Sequence, residues 1–179
     1  MKTSVFVGVS LDGFIARANG ALDWLPHDAE EHGYEAFFAS VDAVVIGRHT
    51  YETVLGFDAW PYGTKPVYVL SSAPLRAPPD RAVVRHLSGD PSDIASQLIA
   101  DGVQHAYIDG GVTVQRFLRA GLVQRLVLTR IPVLIGTGIP LFGPTDGDIR
   151  LRHLGTRCFP SGLVQSEYEV AAPARLLSQ

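Results

Sequence analysis

The rhythm of apolar and polar positions changes repeatedly along the chain, and each change predicts an element. Ser4 to Ser10 is β-branched and apolar and stops at the turn pair Asp12-Gly13, the profile of a strand. Asp28 to Ser40 reads as a helix, with Tyr34, Phe37 and Phe38 on one face and acids at its start, where the helix dipole favours negative charge. Ala43 to Ile46 is an unbroken apolar run, as expected of a strand covered on both faces; Gly47 ends it, and Thr50 is placed to cap a short helix through Leu55. Val67 to Leu70 repeats that pattern and leads into Ser71-Ser72 and a loop with Pro74, Pro78 and Pro79. Asp90-Pro91 offers an N-cap carboxylate followed by proline at the first helical position; Ile94, Ala95, Leu98 and Ile99 form that helix's apolar face, and Gly102 closes it. A strand from His105 to Ile108, a turn at Asp109-Gly110-Gly111, a helix from Thr113 to Ala120 and a strand from Leu126 to Ile131 follow.

The last third changes character. Ile149 and Leu151 alternate with Arg150 and Arg152, and Val164, Tyr168 and Val170 with Gln165, Glu167 and Glu169. A period of two predicts antiparallel strands with one wet face. The whole reads as α/β with a mixed sheet. No repeat, low-complexity tract or linker divides it, so residues 1–179 are expected to form one domain.

Composition narrows the functional classes. With 46% hydrophobic and 18% charged residues the chain is too apolar for disorder, and its length supports a core without disulfides or a structural metal. A net charge of -3 argues against nucleic-acid and membrane-surface partners, although it leaves room for a local phosphate patch. No apolar run reaches the roughly 18 residues that span a bilayer. The start Met1-Lys2-Thr3-Ser4 is too short and polar for a signal peptide, and a cytoplasmic location is expected. The lone Cys158 has no partner for an internal disulfide, and a small core or strand position is expected for it.

Several chemistries drop out. Gly136-Thr137-Gly138-Ile139-Pro140 runs on to Leu141 where a GxGxxG would need its third glycine, and neither a Walker loop nor a GxSxG elbow occurs. His27 and His32 flank Asp28, Glu30 and Glu31, but five residues apart on a helix they point to different sides, so no metal site is expected. Three loops after apolar strands remain: Gly47-Arg48-His49-Thr50, Ser71-Ser72 and Asp109-Gly110-Gly111. Ligands of open α/β sheets gather at such strand ends, and helix starts offer free N–H groups to phosphate. Arg48 adds a permanent charge, the serines add hydroxyl donors, and paired glycines let backbone approach a ligand closely. Each loop alone also fits a plain turn or cap. Together they describe a site for an extended, multiply phosphorylated ligand.

Those same runs carry a family resemblance. Val45-Ile46-Gly47-Arg48-His49-Thr50-Tyr51-Glu52, Val69-Leu70-Ser71-Ser72, Ile108-Asp109-Gly110-Gly111 and Leu126-Val127-Leu128-Thr129-Arg130-Ile131 resemble the dihydrofolate reductase fold family. Ser10-Leu11-Asp12-Gly13-Phe14-Ile15-Ala16 and the stretch from Pro132 to Phe142 look more like the reductase domain of the bifunctional riboflavin-biosynthesis deaminase/reductase and its stand-alone relatives. The resemblance runs from Ser4 to Tyr168 and implies a three-layer αβα fold with a central, mostly parallel mixed sheet and antiparallel C-terminal strands. The zinc-deaminase signature is absent, which fits a stand-alone reductase.

The resemblance further implies NADPH and hydride transfer to a pyrimidine or pterin-like heterocycle, in the riboflavin enzymes 5-amino-6-(5-phosphoribosylamino)uracil. Dihydrofolate reduction, or a nucleotide-binding oligomer without catalysis, are the alternatives. Gly47 to Thr50, including His49, would pack on the pyrophosphate, and Arg48, Ser71 and Ser72, next to Leu70, would hold the 2′-phosphate. Ile108, Gly110 and Gly111 with Val112, Thr113 and Val114 would meet the pyrophosphate and the nicotinamide edge. Three acids compete as proton donor. Asp28, after Trp24-Leu25-Pro26-His27, matches the family carboxylate, with Thr129 as its hydrogen-bond partner, or is a helix N-cap. Asp12 lies near the expected nicotinamide or is a turn residue, and Asp109 matches the acid that the riboflavin-type reductases carry before Gly-Gly. Trp24 and Phe38 are candidate substrate contacts or core residues, as are Tyr34, Phe37 and Trp60. Arg17, Arg150 and Arg152 are candidates for a substrate phosphate. The apolar stretch from Leu126 to Phe142 exceeds one strand's needs, and a homodimer through late strands is expected.

Overall fold

The computed structural model describes residues 1–26 and 32–171. In chain order these form β1 (Lys2–Ser10), β2 (Phe14–Ala16), α1 (Tyr34–Ala39), β3 (Ala43–Gly47), α2 (Arg48–Val54), β4 (Val67–Leu70), β5 (Val84–Leu87), α3 (Pro91–Ala100), β6 (His105–Asp109), α4 (Gly111–Arg119), β7 (Arg125–Ile131), β8 (Ile139–Pro140), β9 (Leu151–Cys158) and β10 (Val164–Val170). An eight-stranded sheet has the order β5-β4-β3-β6-β1-β7-β10-β9, and β2 and β8 make a separate pair. From β5 to β7 all neighbours are parallel, while β10 runs antiparallel to both β7 and β9. This is the expected three-layer arrangement.

The apolar runs explain the strand order. Apart from the Tyr68 hydroxyl, β3 and β4 carry no polar side chain, and they lie inside the sheet, where both faces are covered. On one face Val5, Val45, Tyr68, Ile108 and Leu126 pack with Ile94 and Leu98 of α3 and Phe117 of α4. On the other, Phe6, Val44, Ile46, Tyr107 and Val127 pack with Phe37 of α1 and Tyr51 of α2. Adjacent residues Val5 and Phe6 serve opposite faces, as the two-residue period of a strand requires. Ile94 and Leu98 are fully buried, one helical turn apart; truncating either to alanine would cost about 2–5 kcal/mol.

Several boundaries differ from the pattern. The predicted start of α1 at Asp28 lies outside the described residues, and the helix is described from Tyr34. α2 begins at Arg48 with Gly47 as its N-cap, so Thr50 sits inside the first turn rather than capping it. α4 begins at Gly111, not Thr113. β5 was invisible because an edge strand needs no apolar run; its Arg85 and His86 are exposed. β10 keeps its alternation, with Tyr168 and Val170 packed on the core. β9 does not present one wet face, since all eight of its residues are exposed. Its register against β10 shifts between Glu167 and Tyr168, leaving Leu154 unpaired as a bulge, and a bulge reverses which side chains share a face. Cys158 is accordingly a strand residue but an exposed one.

Candidate active site

The carboxyl ends of β1, β3, β4 and β6 open into a cleft of about 1180 Å³. Its outer half is built from the loops after β3, β4 and β6, and two glycine–threonine approaches lock the first and last of these together. Gly110 has φ 88° and ψ 138°, a conformation essentially reserved for glycine, and a Cβ there would run into Thr50 Oγ1. In the opposite sense, a Cβ on Gly47 would lie 3.0 Å from Thr113 Oγ1. Each loop gives a glycine to the other's threonine. Gly111 is packed as closely: its Cβ would lie 3.1 Å from Ile139 Cγ2 and 3.2 Å from Ile15 Cδ1, so the β2/β8 pair closes directly over the start of α4.

The donors differ in detail from the sequence expectation. The first N–H groups of α4, on Gly111, Val112 and Thr113, have no carbonyl one turn earlier to bond. The Val114 N–H already donates to Gly110 O at 2.9 Å and its side chain is buried in the core, so Val114 offers no donor to the cleft. Ile108 is likewise fully buried and lines nothing. The Ser71 hydroxyl is closed in a turn, donating to Ala73 O at 2.7 Å and accepting from Ala73 N–H at 3.0 Å. Ser72 is exposed beside it on the cleft wall, with Leu70 behind. Arg48 lines the same wall, its Nε donating to Glu52 Oε1 at 2.7 Å, and His49 is exposed next to it. Arg116 is a cleft cation that sequence reading missed; it donates to Gly89 O at 2.7 Å. The signal was available, since Arg116 lies four residues after Val112 and so shares its helix face.

The inner half centres on Asp109 at the end of β6. Tyr107, two residues earlier, points to the same face, and Phe6, Gly8 and Leu25 complete the wall. Burial pushes the Asp109 carboxyl up to about 6, against the lowering effects of the Gly110 N–H, 2.8 Å from Oδ1, and of the Tyr107 hydroxyl. The Tyr107 hydroxyl donates to Phe6 O at 2.8 Å. Burial raises Tyr107, Tyr62 and Tyr34, the last to about 12, and the negative charge of Asp109 adds to each shift. Asp109 and Tyr107 line the cleft together, while Tyr34 and Tyr62, from two other segments, lie outside its lining but close enough to feel the Asp109 charge.

The other predicted residues lie elsewhere. Asp12 does not line the cleft; its carboxylate accepts from Ser10 Oγ at 2.6 Å, from Gly136 N–H at 2.8 Å and from Ile135 N–H at 3.1 Å. The Ser10 hydroxyl above all holds its pKa below the ordinary value, which suits an anchor for the 134–136 turn and not a proton donor at neutral pH. Asp28 is outside the described residues. Thr129 is buried on β7 and accepts from Gln165 Nε2 at 2.9 Å, which also donates to His32 O at 2.9 Å. Trp24 does not line the cleft, and its indole nitrogen is buried with no partner among the described residues. Phe38 stacks on Tyr34 with centroids 5.7 Å apart, behind the cleft wall. No helix among the described residues is long and apolar enough to cross a membrane.

A mixed sheet with this strand order, three cleft-lining loops at parallel strand ends and an antiparallel C-terminal pair defines a dihydrofolate reductase-like fold. Dihydrofolate reductase from Enterococcus faecalis, solved with NADP(H) and RAB-propyl, superimposes with a TM-score of 0.63 over 94% of each chain at 19% identity. The chain belongs to the RibD C-terminal domain family, whose model matches residues 2–165, and it is thus an oxidoreductase of that reductase family. A putative riboflavin biosynthesis protein from Shewanella sp. PV-4 shares 38% identity and a TM-score of 0.87, with 96% of this chain and 99% of that one covered. The uncharacterized protein YwjB of Bacillus subtilis strain 168 is 33% identical over 162 residues, 88% of this chain and 92% of its own.

Proposed function

We propose that the protein is an NADPH-dependent reductase that transfers a hydride to a pyrimidine or pterin-like heterocycle. The observation that carries this reading is Asp109, an acid raised to about 6, in the same cleft as the glycine cradle. The residues present fit the cofactor. Gly110 and Gly111 leave the room a side chain would fill, the α4 amides suit a pyrophosphate, and Arg48 with Ser72 suits a 2′-phosphate. When bound, the reduced nicotinamide supplies the hydride. Asp109 in its neutral form holds the matching proton against the acceptor's nitrogen or oxygen, and the apolar wall of Phe6 and Leu25 limits water there. The proton taken from Asp109 is replaced from solvent after turnover.

Fluorescence titration of the cofactors tests the binding half. NADPH is expected to bind at least about tenfold tighter than NADH, the worth of one charge-assisted phosphate contact. Arg48→Ala is expected to remove most of that difference and leave NADH binding unchanged. Failure of both cofactors to bind refutes the reading. The protein is also proposed to be a homodimer, on the strength of β9, a sheet edge exposed along its whole length.

A further inference from the structure

Residues 132–141 link the end of β7 to β8 and lie along the β1–β2 turn as a strap. Backbone bonds tie the strap to that turn near both of its ends. Leu11 N–H donates to Val133 O at 2.9 Å, and Leu141 N–H donates to Gly13 O at 3.0 Å. Between these bonds the Asp12 carboxylate reaches the middle of the strap, accepting from Gly136 N–H at 2.8 Å and from Ile135 N–H at 3.1 Å. Ser10 Oγ steadies the carboxylate at 2.6 Å and is itself fixed by the Phe14 N–H, which donates to it at 2.9 Å. From the other side Gln115 of α4 donates through Nε2 to Pro140 O at 3.0 Å. What the strap carries is cleft wall. A Cβ on Gly138 would run into Ala16 O and lie 3.2 Å from both Ile135 Cδ1 and Phe14 Cβ, so the strap's turn packs directly on β2. The next residue, Ile139, pairs with Ala16, and both line the cleft with Ile15. Neither Asp12 nor Gln115 lines it, so any effect of theirs on a ligand passes through this wall.

We propose that Asp12 and Gln115 are positioning residues, which hold the 132–141 strap where Ile15, Ala16 and Ile139 form the wall for the nicotinamide end of the cofactor. This rests on the reductase reading and adds to it a role for two residues outside the cleft. A hydride and its proton add to the two ends of one double bond, so the nicotinamide belongs on the side of the cleft nearest Asp109. The wall is there: Ile139 and Ile15 crowd Gly111, two residues after Asp109. The residues that suit the 2′-phosphate, Arg48 and Ser72, follow β3 and β4, and β6 separates those strands from β1 in the sheet. A wall fixed before binding spares the ligand the entropy of ordering it. Without Asp12 the Ile135 and Gly136 N–H groups turn to water, and the wall loses its fixed distance from Gly111. The loops after β3 and β4 do not depend on that distance.

The test is calorimetric titration of the full chain with two ligands, NADPH and adenosine 2′,5′-bisphosphate, which lacks the nicotinamide riboside. Asp12→Ala is expected to weaken NADPH by about tenfold and to leave the bisphosphate within about twofold of the parent. A role in stability alone would lower both ligands together. Asp12→Asn should restore NADPH to within about threefold, because Oδ1 can still accept from the two amides while Nδ2 donates to Ser10 Oγ. Gln115→Ala loosens the strap from its other side and should reproduce the selective loss, which keeps the proposal open to test if Asp12→Ala fails to fold. Unchanged NADPH affinity in either folded alanine variant overturns the proposal. So does a parallel loss of both ligands, or an Asp12→Asn that binds NADPH no better than Asp12→Ala. Titration of the parent comes first: failure of NADPH to bind there sinks the reductase reading, whereas a parent that binds it beside indifferent variants sinks only the strap.

Discussion

At Asp109 two demands point the same way, since the proposed proton donor must be neutral near the working pH and a folded protein avoids burying a charge. Burial raises its pKa to about 6 from an ordinary value of about 3.9. Between those values the folded state holds a proton that the unfolded chain has lost, so stability falls as pH rises through this window and the loss is complete above about 6. The loss amounts to at most about 3 kcal/mol. Asp109→Asn removes the titration. The variant is expected to melt several degrees above the parent at pH 8, with the gap closing by pH 4, in thermal unfolding followed by circular dichroism. The same variant should keep cofactor affinity and lose turnover, and parent turnover should decline as pH rises past about 6. A pH-independent gap would mean that the carboxyl is not buried as the structure has it. The acid before Gly110-Gly111 was legible in the sequence. Its company was not, because Tyr34 and Tyr62 come from distant segments and only the fold brings them to β6. Asp12 shows the converse: its turn was legible, while its bonds to Ile135 and Gly136 depend on a loop far along the chain.

At the scale of elements, the reciprocal pairs Gly110–Thr50 and Gly47–Thr113 set how closely the β3–α2 and β6–α4 loops approach. Gly110→Ala puts a Cβ against Thr50 Oγ1 in a backbone conformation that alanine avoids, a strain of about 1–3 kcal/mol. The loops must part to relieve it, so NADPH affinity is expected to fall by about tenfold or more while far-ultraviolet circular dichroism stays native. Unchanged affinity would show that the loop spacing does not govern the cofactor site. Gly121→Ala is the control. It too sits at positive φ, 67°, but with nothing within 4 Å of its Cβ position and far from the cleft, so it should lower stability and leave affinity alone. The glycines were readable as turns. That each is needed by a threonine of the other loop was not, because sequence spacing carries no information about which loops become neighbours at the end of a parallel sheet. β5 escaped notice for a related reason: an edge strand is stabilised by pairing on one side, and Arg85 and His86 satisfy that without an apolar pattern.

For the whole molecule, the two edges of the sheet are unequal. β5 is short, four residues with two exposed polar side chains, while β9 is eight residues long, or about 26 Å at 3.3 Å per residue. A long open edge invites pairing with another chain unless something covers it. Leu151 and Leu154 on β9 are 42% and 45% exposed, and Phe142, at 48%, stands with Leu151 beside a hollow of about 610 Å³ that Leu118, Leu126 and Ile149 also line. Together they make an apolar margin of the kind that a second copy covers, and a specific interface takes about 800 Å² from each partner. Light scattering is therefore expected to give twice the monomer mass of 19.3 kDa. Replacing Leu151 and Leu154 together by Lys should yield a monomer, because each buried charge would lack a partner in the interface. The cleft lies at the strand ends and β9 at the sheet margin, so the monomeric variant should bind NADPH as the parent does. A parent protein that scatters as a monomer would refute the dimer and leave the β9 edge to the bulge at Leu154 alone. A variant monomer that also loses cofactor would show that the partner subunit supports the site across the sheet, which the separation of β9 from β3 and β6 argues against.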